Sequence, residues 1–184
     1  MSARRSRLRE ATADVHRALD AQFGGMAKRS DYIFYVRMLT SFRSAIEGRI
    51  AALRGPFRPT LLSDVLAEDC EDLGLEPVEP VSPCAIDCRG DAWFGAVYVL
   101  EGSTLGAPML FRSASRFGFD ECFGARHLAR QLAARQNWRE FVRYLDELPS
   151  VDMALAIGAA NATFDLALAA ARQVSHSTEL LDAR

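Results

Sequence analysis

The first apolar segment of the chain carries a histidine that could bind a metal. On a helix with 3.6 residues per turn, His16 lies about 40° from Thr12 and about 60° from Leu19, at the border of the apolar face. A neutral imidazole nitrogen at such a border suits ligation of iron or another metal in a cavity between helices. The alternative is a border histidine with one ring nitrogen in water.

A second segment, YVLEGSTLGAPML at residues 98–110, carries residues that helix interiors disfavour. Relative to alanine, each glycine costs about 1 kcal/mol there and a proline about 3 kcal/mol. Gly102 and Gly106 lie four residues apart and Pro108 follows, so we expect a kink. Small residues at this spacing let another surface approach the backbone closely. That surface is either a neighbouring helix or a flat ligand beside the Ser103 hydroxyl.

Other catalytic and metal-binding patterns do not occur in the sequence. EGSTLG lacks the glycine that a nucleophile elbow places two residues after Ser103, and no Walker A or Rossmann fingerprint is present. The histidines His16, His127 and His176 are too far apart to indicate a hydrolytic triad, and no ExxH pair indicates a di-iron site. No CxxC pair occurs. We expect free thiols at Cys70, Cys84, Cys88 and Cys122, as is usual in a cytoplasmic protein, and a bridge between Cys84 and Cys88 on oxidation is the alternative.

Composition narrows the class of protein. The 184 residues suffice for one domain with a core, and the net charge of −2 indicates no basic surface for nucleic acid. No apolar stretch of signal-peptide type follows the basic N-terminus, and the apolar run at 93–100 is too short to cross a bilayer. Polar residues interrupt the longer run at 154–171, which we interpret as a packed helix. We therefore expect a cytoplasmic protein that binds neither nucleic acid nor membranes.

The spacing of apolar residues predicts an all-α chain with a single helical domain over residues 1–184. No alternating strand pattern of useful length occurs. The proline-rich segment at 75–90 is expected to be an extended connector, and the carboxylates at 68–72 to form a solvated helix face. The first helix is expected to stop at Gly24 or Gly25, and the second at residues 55–56. The expected helices cover about 4–21, 31–55, 59–74, 91–117, 121–134, 137–148 and 151–176.

Taken together, LREATADVHRALD near the N-terminus and GAVYVLEGSTLGA at mid-chain resemble the bacterial haem oxygenases. The similarity extends to the tyrosine-rich second helix, to RPTLLSDVLAEDCEDLG and to NWREFVRYLD before the long C-terminal helix. It therefore covers most of the chain. The resemblance implies a multi-helix haem oxygenase-like fold that holds haem between two helices.

The resemblance assigns residues to the two faces of the haem. His16 matches the histidine that ligates the iron. Gly102 and Gly106 match positions where the backbone of the distal helix, LEGSTLGAPML, bends over the other face. Ser103 matches a distal polar position that is an aspartate in many relatives outside this subgroup, and the role of that aspartate then falls to waters or backbone. Gly102, Ser103 and Gly106 are the expected catalytic set.

The resemblance also implies how the haem propionates are held. Arg9 lies two helical turns before His16 on the same face and matches a basic residue that pairs with a propionate. Tyr98 lies four residues before Gly102 and resembles a tyrosine that donates a hydrogen bond to a propionate. A solvated arginine and a packed core tyrosine are the alternatives.

The reaction implied by the resemblance is the cleavage of haem to biliverdin, carbon monoxide and ferrous iron. Haem is then both cofactor and substrate, molecular oxygen is the co-substrate, and a reductase supplies electrons to a monomeric enzyme. Pro108 departs from the family pattern, and its ring could displace the distal helix and impair turnover. The alternatives are a non-catalytic haem-binding or sensor protein on the same fold, and a haem-free helical relative.

Overall fold

The computed structural model describes residues 3–23, 25–53, 57–82 and 86–182, and within them the chain forms helices and no strand. This confirms the all-α fold class. Two short 3₁₀ turns accompany the α-helices, at Ala21–Phe23 and Ser103–Leu105. The α-helices are α1 (Ala3–Ala11), α2 (Ala13–Asp20), α3 (Arg29–Ala52), α4 (Ser63–Asp72), α5 (Ala92–Gly102), α6 (Ala107–Arg116), α7 (Arg126–Ala133), α8 (Arg135–Glu147) and α9 (Met153–Asp182).

The N-terminal segment differs from the prediction of one helix over 4–21, because it breaks at Thr12. The Thr12 hydroxyl donates to the carbonyl of Leu8 at 2.8 Å, and the residue leaves helical geometry with φ −109° and ψ 2°. A threonine that bonds back to the preceding turn bends a helix in this way. Gly25 has a φ of 76°, as expected for a stop, whereas the predicted stops at Gly24 and at residues 55–56 lie outside the described residues.

The predicted long helix over 91–117 is two helices, α5 and α6, and Pro108 explains why. Pro108 is the second residue of α6, a position whose amide needs no partner inside the helix. The chain therefore passes from α5 through one 3₁₀ turn into α6, with a bend of 47° between the two axes. The proline that conflicts with a continuous helix is compatible with the start of a new one.

Helices α5 and α9 run parallel in close contact at the centre of the fold. The backbone amide of Asp152, just before α9, donates to a carboxylate oxygen of Asp91, just before α5, at 2.6 Å. Four residues further along each helix, a Cβ built on Gly95 would collide with the carbonyl oxygen of Ala156 and lie 2.8 Å from the amide nitrogen of Ala160. Gly95 is therefore the glycine that lets two helices touch.

Helix α9 is long and apolar enough over Met153–His176 to cross a membrane by length and composition, but half of that window is buried inside the protein. Its buried face consists largely of small residues, which suits close helix packing. The interpretation of this run as a packed helix agrees with its contacts to α5 and α3. The buried alanines on this face are Ala156, Ala159, Ala160, Ala167, Ala170 and Ala171.

The prediction of a solvated carboxylate face at 68–72 is wrong for Asp69, which is completely buried. The Asp69 carboxylate accepts hydrogen bonds from the backbone amides of Arg126 at 2.9 Å and His127 at 3.0 Å, the first two residues of α7. It also lies 2.6 Å from Nδ1 of His127, whose pKa is lowered by burial. The amides at the start of α7 have no partner within the helix, and by donating to Asp69 they offset the cost of burying its carboxylate.

Replacing Gly95 by alanine is expected to lower the free energy of unfolding by about 1–3 kcal/mol, because the added methyl group has no space against α9. Urea denaturation measures the effect. Gly158→Ala is the matched control, since Gly158 lies in α9 with nothing within 4 Å of a built Cβ. There, alanine should be neutral or should stabilise by up to about 1 kcal/mol. Equal effects at the two sites would contradict the proposed close contact.

Candidate haem site

The Tyr98 side chain of α5 interacts with the Thr12 side chain, where α2 begins. His16 lies one helical turn after Thr12, and Gly102 lies one turn after Tyr98. The His16 imidazole packs edge-on against the Phe164 ring, with 5.4 Å between ring centroids. The histidine of α2 and the glycine-rich bend of residues 102–106 each therefore follow, by one helical turn, a residue of the Thr12–Tyr98 contact.

The His16 side chain is oriented by a carboxylate on its own helix. Nδ1 of His16 lies 2.9 Å from a carboxylate oxygen of Asp20, one turn further along α2. A histidine whose Nδ1 is held in this way presents Nε2 as its ligating nitrogen. More than half of the His16 side-chain surface, 56%, is exposed. The imidazole is therefore both oriented and accessible.

Tyr98 and Arg9 come together where α1 and α2 meet α5. The Tyr98 phenol is half-buried against Trp138, with 5.6 Å between ring centroids. Burial raises the pKa of the phenol above its ordinary value, while the neighbouring Arg5, Thr12 and Arg9 oppose the increase. Tyr98 therefore stays protonated at neutral pH and keeps an O–H to donate, in a basic environment.

The glycines of the bend are not required by packing within the protein. Both have right-handed helical backbone angles, with φ of −59° for Gly102 and −80° for Gly106. A Cβ on Gly102 would contact Trp138 at an ordinary 3.6 Å, and one on Gly106 would contact the Ser103 carbonyl oxygen at 3.7 Å. A neighbouring helix was one of the two surfaces expected to approach these glycines. No helix backbone comes that close to Gly102 or Gly106, whereas one does at Gly95.

Two exposed apolar side chains next to the bend were missed in the sequence. Leu105 is 53% exposed and Met109 is 68% exposed, and they lie four residues apart, on one side of the chain. Large apolar side chains exposed together next to a cavity or groove are typical of binding surfaces. The sequence did contain a signal for them, because Leu105 and Met109 are four residues apart and flank Gly106.

Ser103 directs its hydroxyl into the protein, although the residue as a whole is exposed. Its Oγ donates to the carbonyl of Leu100 at 2.7 Å and accepts hydrogen bonds from Arg43 at 2.9 Å and Gln131 at 2.8 Å. Its neighbour Glu101 is completely buried and accepts a hydrogen bond from the Thr60 amide at 2.5 Å. Polar contacts on the interior side of the bend therefore hold it in place.

Comparison with known proteins identifies the family. A scan against models of protein families finds no match. The chain is 34% identical to the haem oxygenase PigA of Pseudomonas aeruginosa, over 88% of both proteins. The chain belongs to the haem oxygenase family. Its fold also matches the NO- and CO-bound haem oxygenase of Neisseria meningitidis, with a TM-score of 0.77 and 26% identity over 95% of this chain and 92% of that one.

Haem oxygenases are oxidoreductases that use haem as both cofactor and substrate, with oxygen as co-substrate. The residues of this haem oxygenase fit such a group on two observations. Asp20 engages one nitrogen of His16 and leaves the other for iron, and the bend presents backbone without side chains at Gly102 and Gly106. Within the described residues, no group of three or more histidine, cysteine, aspartate or glutamate side chains could hold a metal ion.

The buried carboxyl group behind the bend should make stability depend on pH. Burial is the main reason why the pKa of Glu101 is raised above its ordinary 4.5. As pH rises past 4.5, the unfolded chain releases this proton before the folded chain does, so the free energy of unfolding falls. Glu101→Gln removes this titration and keeps an acceptor for the Thr60 amide. We expect it to gain stability relative to wild type between pH 4 and pH 7.

Urea denaturation at several pH values measures this difference. The exposed Glu76→Gln is the control, and its stability relative to wild type should stay constant over the same range. A Glu101→Gln variant whose relative stability also stays constant, or decreases with pH, would show that the Glu101 carboxyl group is not destabilised by its burial.

Proposed function

We propose that this haem oxygenase cleaves haem to biliverdin, carbon monoxide and ferrous iron, with His16 as the iron ligand and residues 102–106 over the opposite face. The observation that carries the proposal is the exposed imidazole of His16, which Asp20 orients. When bound, haem supplies the iron that activates oxygen and the ring that is opened. The described residues bind it, orient it and shape the space around it.

His16 binds from the proximal side through Nε2. The contact from Asp20 to Nδ1 fixes the ring orientation, as carboxylates do for metal-bound histidines. The Phe164 ring packs against the imidazole and limits its rotation. The ligand is therefore held by α2 and α9 together.

The bend shapes the distal side. Backbone at Gly102 and Gly106 can approach a flat ring closely, because no side chain intervenes. Leu105 and Met109 supply apolar contact, and covering them with the porphyrin would bury apolar surface that is otherwise exposed. With haem bound, this surface would limit the space open to a small molecule beside the ring.

Arg9 and Tyr98 suit the propionate edge of the haem. An arginine can pair with a carboxylate through two parallel hydrogen bonds, and a protonated phenol donates one. Their proximity at the junction of α1, α2 and α5 gives a propionate two kinds of donor within one region.

We further propose that the enzyme works as a monomer in the cytoplasm. A reductase supplies electrons to the enzyme. The enzyme itself binds neither nucleic acid nor membranes.

Titration of the purified apoprotein with hemin tests the binding site. Wild type should bind one hemin with a shifted Soret band, and His16→Ala should lose the spectrum of an axial imidazole. Asp20→Asn should lower the affinity by roughly 10- to 100-fold, because it removes the partner of Nδ1. Asp14→Asn is the control, since Asp14 is an exposed residue of the same helix that pairs with Arg17. An unchanged spectrum in His16→Ala would exclude this ligand.

Addition of ascorbate or a reductase to the hemin complex in air tests turnover. The Soret band should decay while biliverdin absorbance rises and carbon monoxide is released. A complex that binds oxygen stably without forming biliverdin would instead identify a haem-binding or sensor protein. Failure of the apoprotein to bind hemin at all would exclude both functions.

A further inference from the structure

The Ser103 hydroxyl has no hydrogen-bonding capacity left for a ligand on the haem side. A serine hydroxyl donates one hydrogen bond and accepts two. The Oγ of Ser103 donates to the Leu100 carbonyl and accepts from Arg43 and Gln131, at distances of 2.7, 2.9 and 2.8 Å. These three contacts use all of that capacity.

Arg43 and Gln131 are themselves fixed inside the protein. Arg43 is 1% exposed and extends from α3, where its Nη1 donates to the Glu47 carboxylate at 3.0 Å. Its other terminal nitrogen, Nη2, donates to both Ser103 Oγ and the Leu100 carbonyl, the latter at 3.0 Å. Gln131 is completely buried on α7, and its side-chain oxygen has no partner among the described residues. Ser103 is therefore held by two different helices.

These contacts lie where the distal segment changes direction. Leu100 lies in the last turn of α5, and Ser103 begins the 3₁₀ turn that leads into α6. Because Arg43 binds a carbonyl before the turn and a hydroxyl within it, a shift of the turn relative to α5 would break at least one of these hydrogen bonds. The contacts therefore select one geometry of the 47° bend.

We propose that Ser103 is a positioning residue that, together with Arg43 and Gln131, fixes the distal bend, and that its hydroxyl does not donate to a ligand on the iron. These three side chains are called the Ser103 clamp. The part of the proposal that concerns the iron ligand rests on the haem oxygenase function proposed above. The part that concerns the bend is independent of haem.

Hydrogen exchange in the apoprotein tests the clamp without haem. Ser103→Ala and Gln131→Met should each speed exchange of the backbone amides of residues 104–107, 109 and 110 by roughly three- to tenfold, the factor that one net hydrogen bond is worth. Gln131→Met also removes an unpartnered buried oxygen, so its unfolding midpoint should not fall. Ser115→Ala is the matched control, because Ser115 bonds only back to Phe111 within α6, outside the clamp.

The double variant distinguishes a clamp from two unrelated contacts. Gln131 donates to the distal segment only through Ser103 among the described hydrogen bonds. Ser103→Ala with Gln131→Met should therefore exchange no faster than Ser103→Ala alone. Additive effects, or unchanged exchange in both single variants, would overturn the proposal. Should Ser103→Ala fail to fold, exchange in Gln131→Met alone decides the result.

The carbon monoxide complex of the haem-loaded enzyme tests the second part. If Ser103 only positions the bend, Ser103→Ala and Gln131→Met should shift the C–O stretching frequency in the same direction. A shift confined to Ser103→Ala would show that its hydroxyl donates to the ligand, and would overturn this part. If no variant binds hemin, the proposed function fails, while the exchange measurements in the apoprotein still decide the clamp.

Discussion

The close contact of α5 with α9 at Gly95 determines where the rest of the site lies. About two turns beyond Ala156 on α9, Phe164 contacts His16, and the bend begins at Ser103, directly after α5. A larger residue at position 95 would separate the helices and move both features of the site relative to each other.

Behind the distal bend the interior is charged, in contrast to the apolar packing between α5 and α9. Arg43 and Glu47 are 1% and 3% exposed, and Glu47 also accepts hydrogen bonds from the backbone amides of Leu62 and Ser63. Burying a charge pair is costly unless its remaining hydrogen-bonding groups are satisfied, and here the Glu47 oxygens and both terminal nitrogens of Arg43 have partners, while Arg43 Nε has none among the described residues. Such an arrangement tolerates few alternative geometries, whereas apolar side chains can repack. The charged interior therefore supports a site that needs one defined geometry.

The sequence predicted the helical fold and the family, because apolar periodicity and two motifs are local patterns. The residues assigned to the haem stay a prediction. It did not predict the buried Asp69, since the amides of α7 that stabilise it are more than fifty residues away. It gave no reason to single out Gly95, which lies in an apolar run with no glycine three or four residues away. The contact of Asp20 with His16 could have been predicted from the sequence, because side chains four residues apart on a helix are neighbours.

Pro108 was the residue that the family pattern left unexplained, and its position at the start of α6 has a consequence for ligand binding. A proline there restricts the unfolded chain to backbone angles that suit the new helix. The proline therefore favours the start of α6 at this point through the backbone of the chain itself. A ligand that arrives at a surface already shaped for it loses little affinity to ordering of the protein. The apoprotein is in this sense preorganised, and haem binding should approach the behaviour of a rigid receptor.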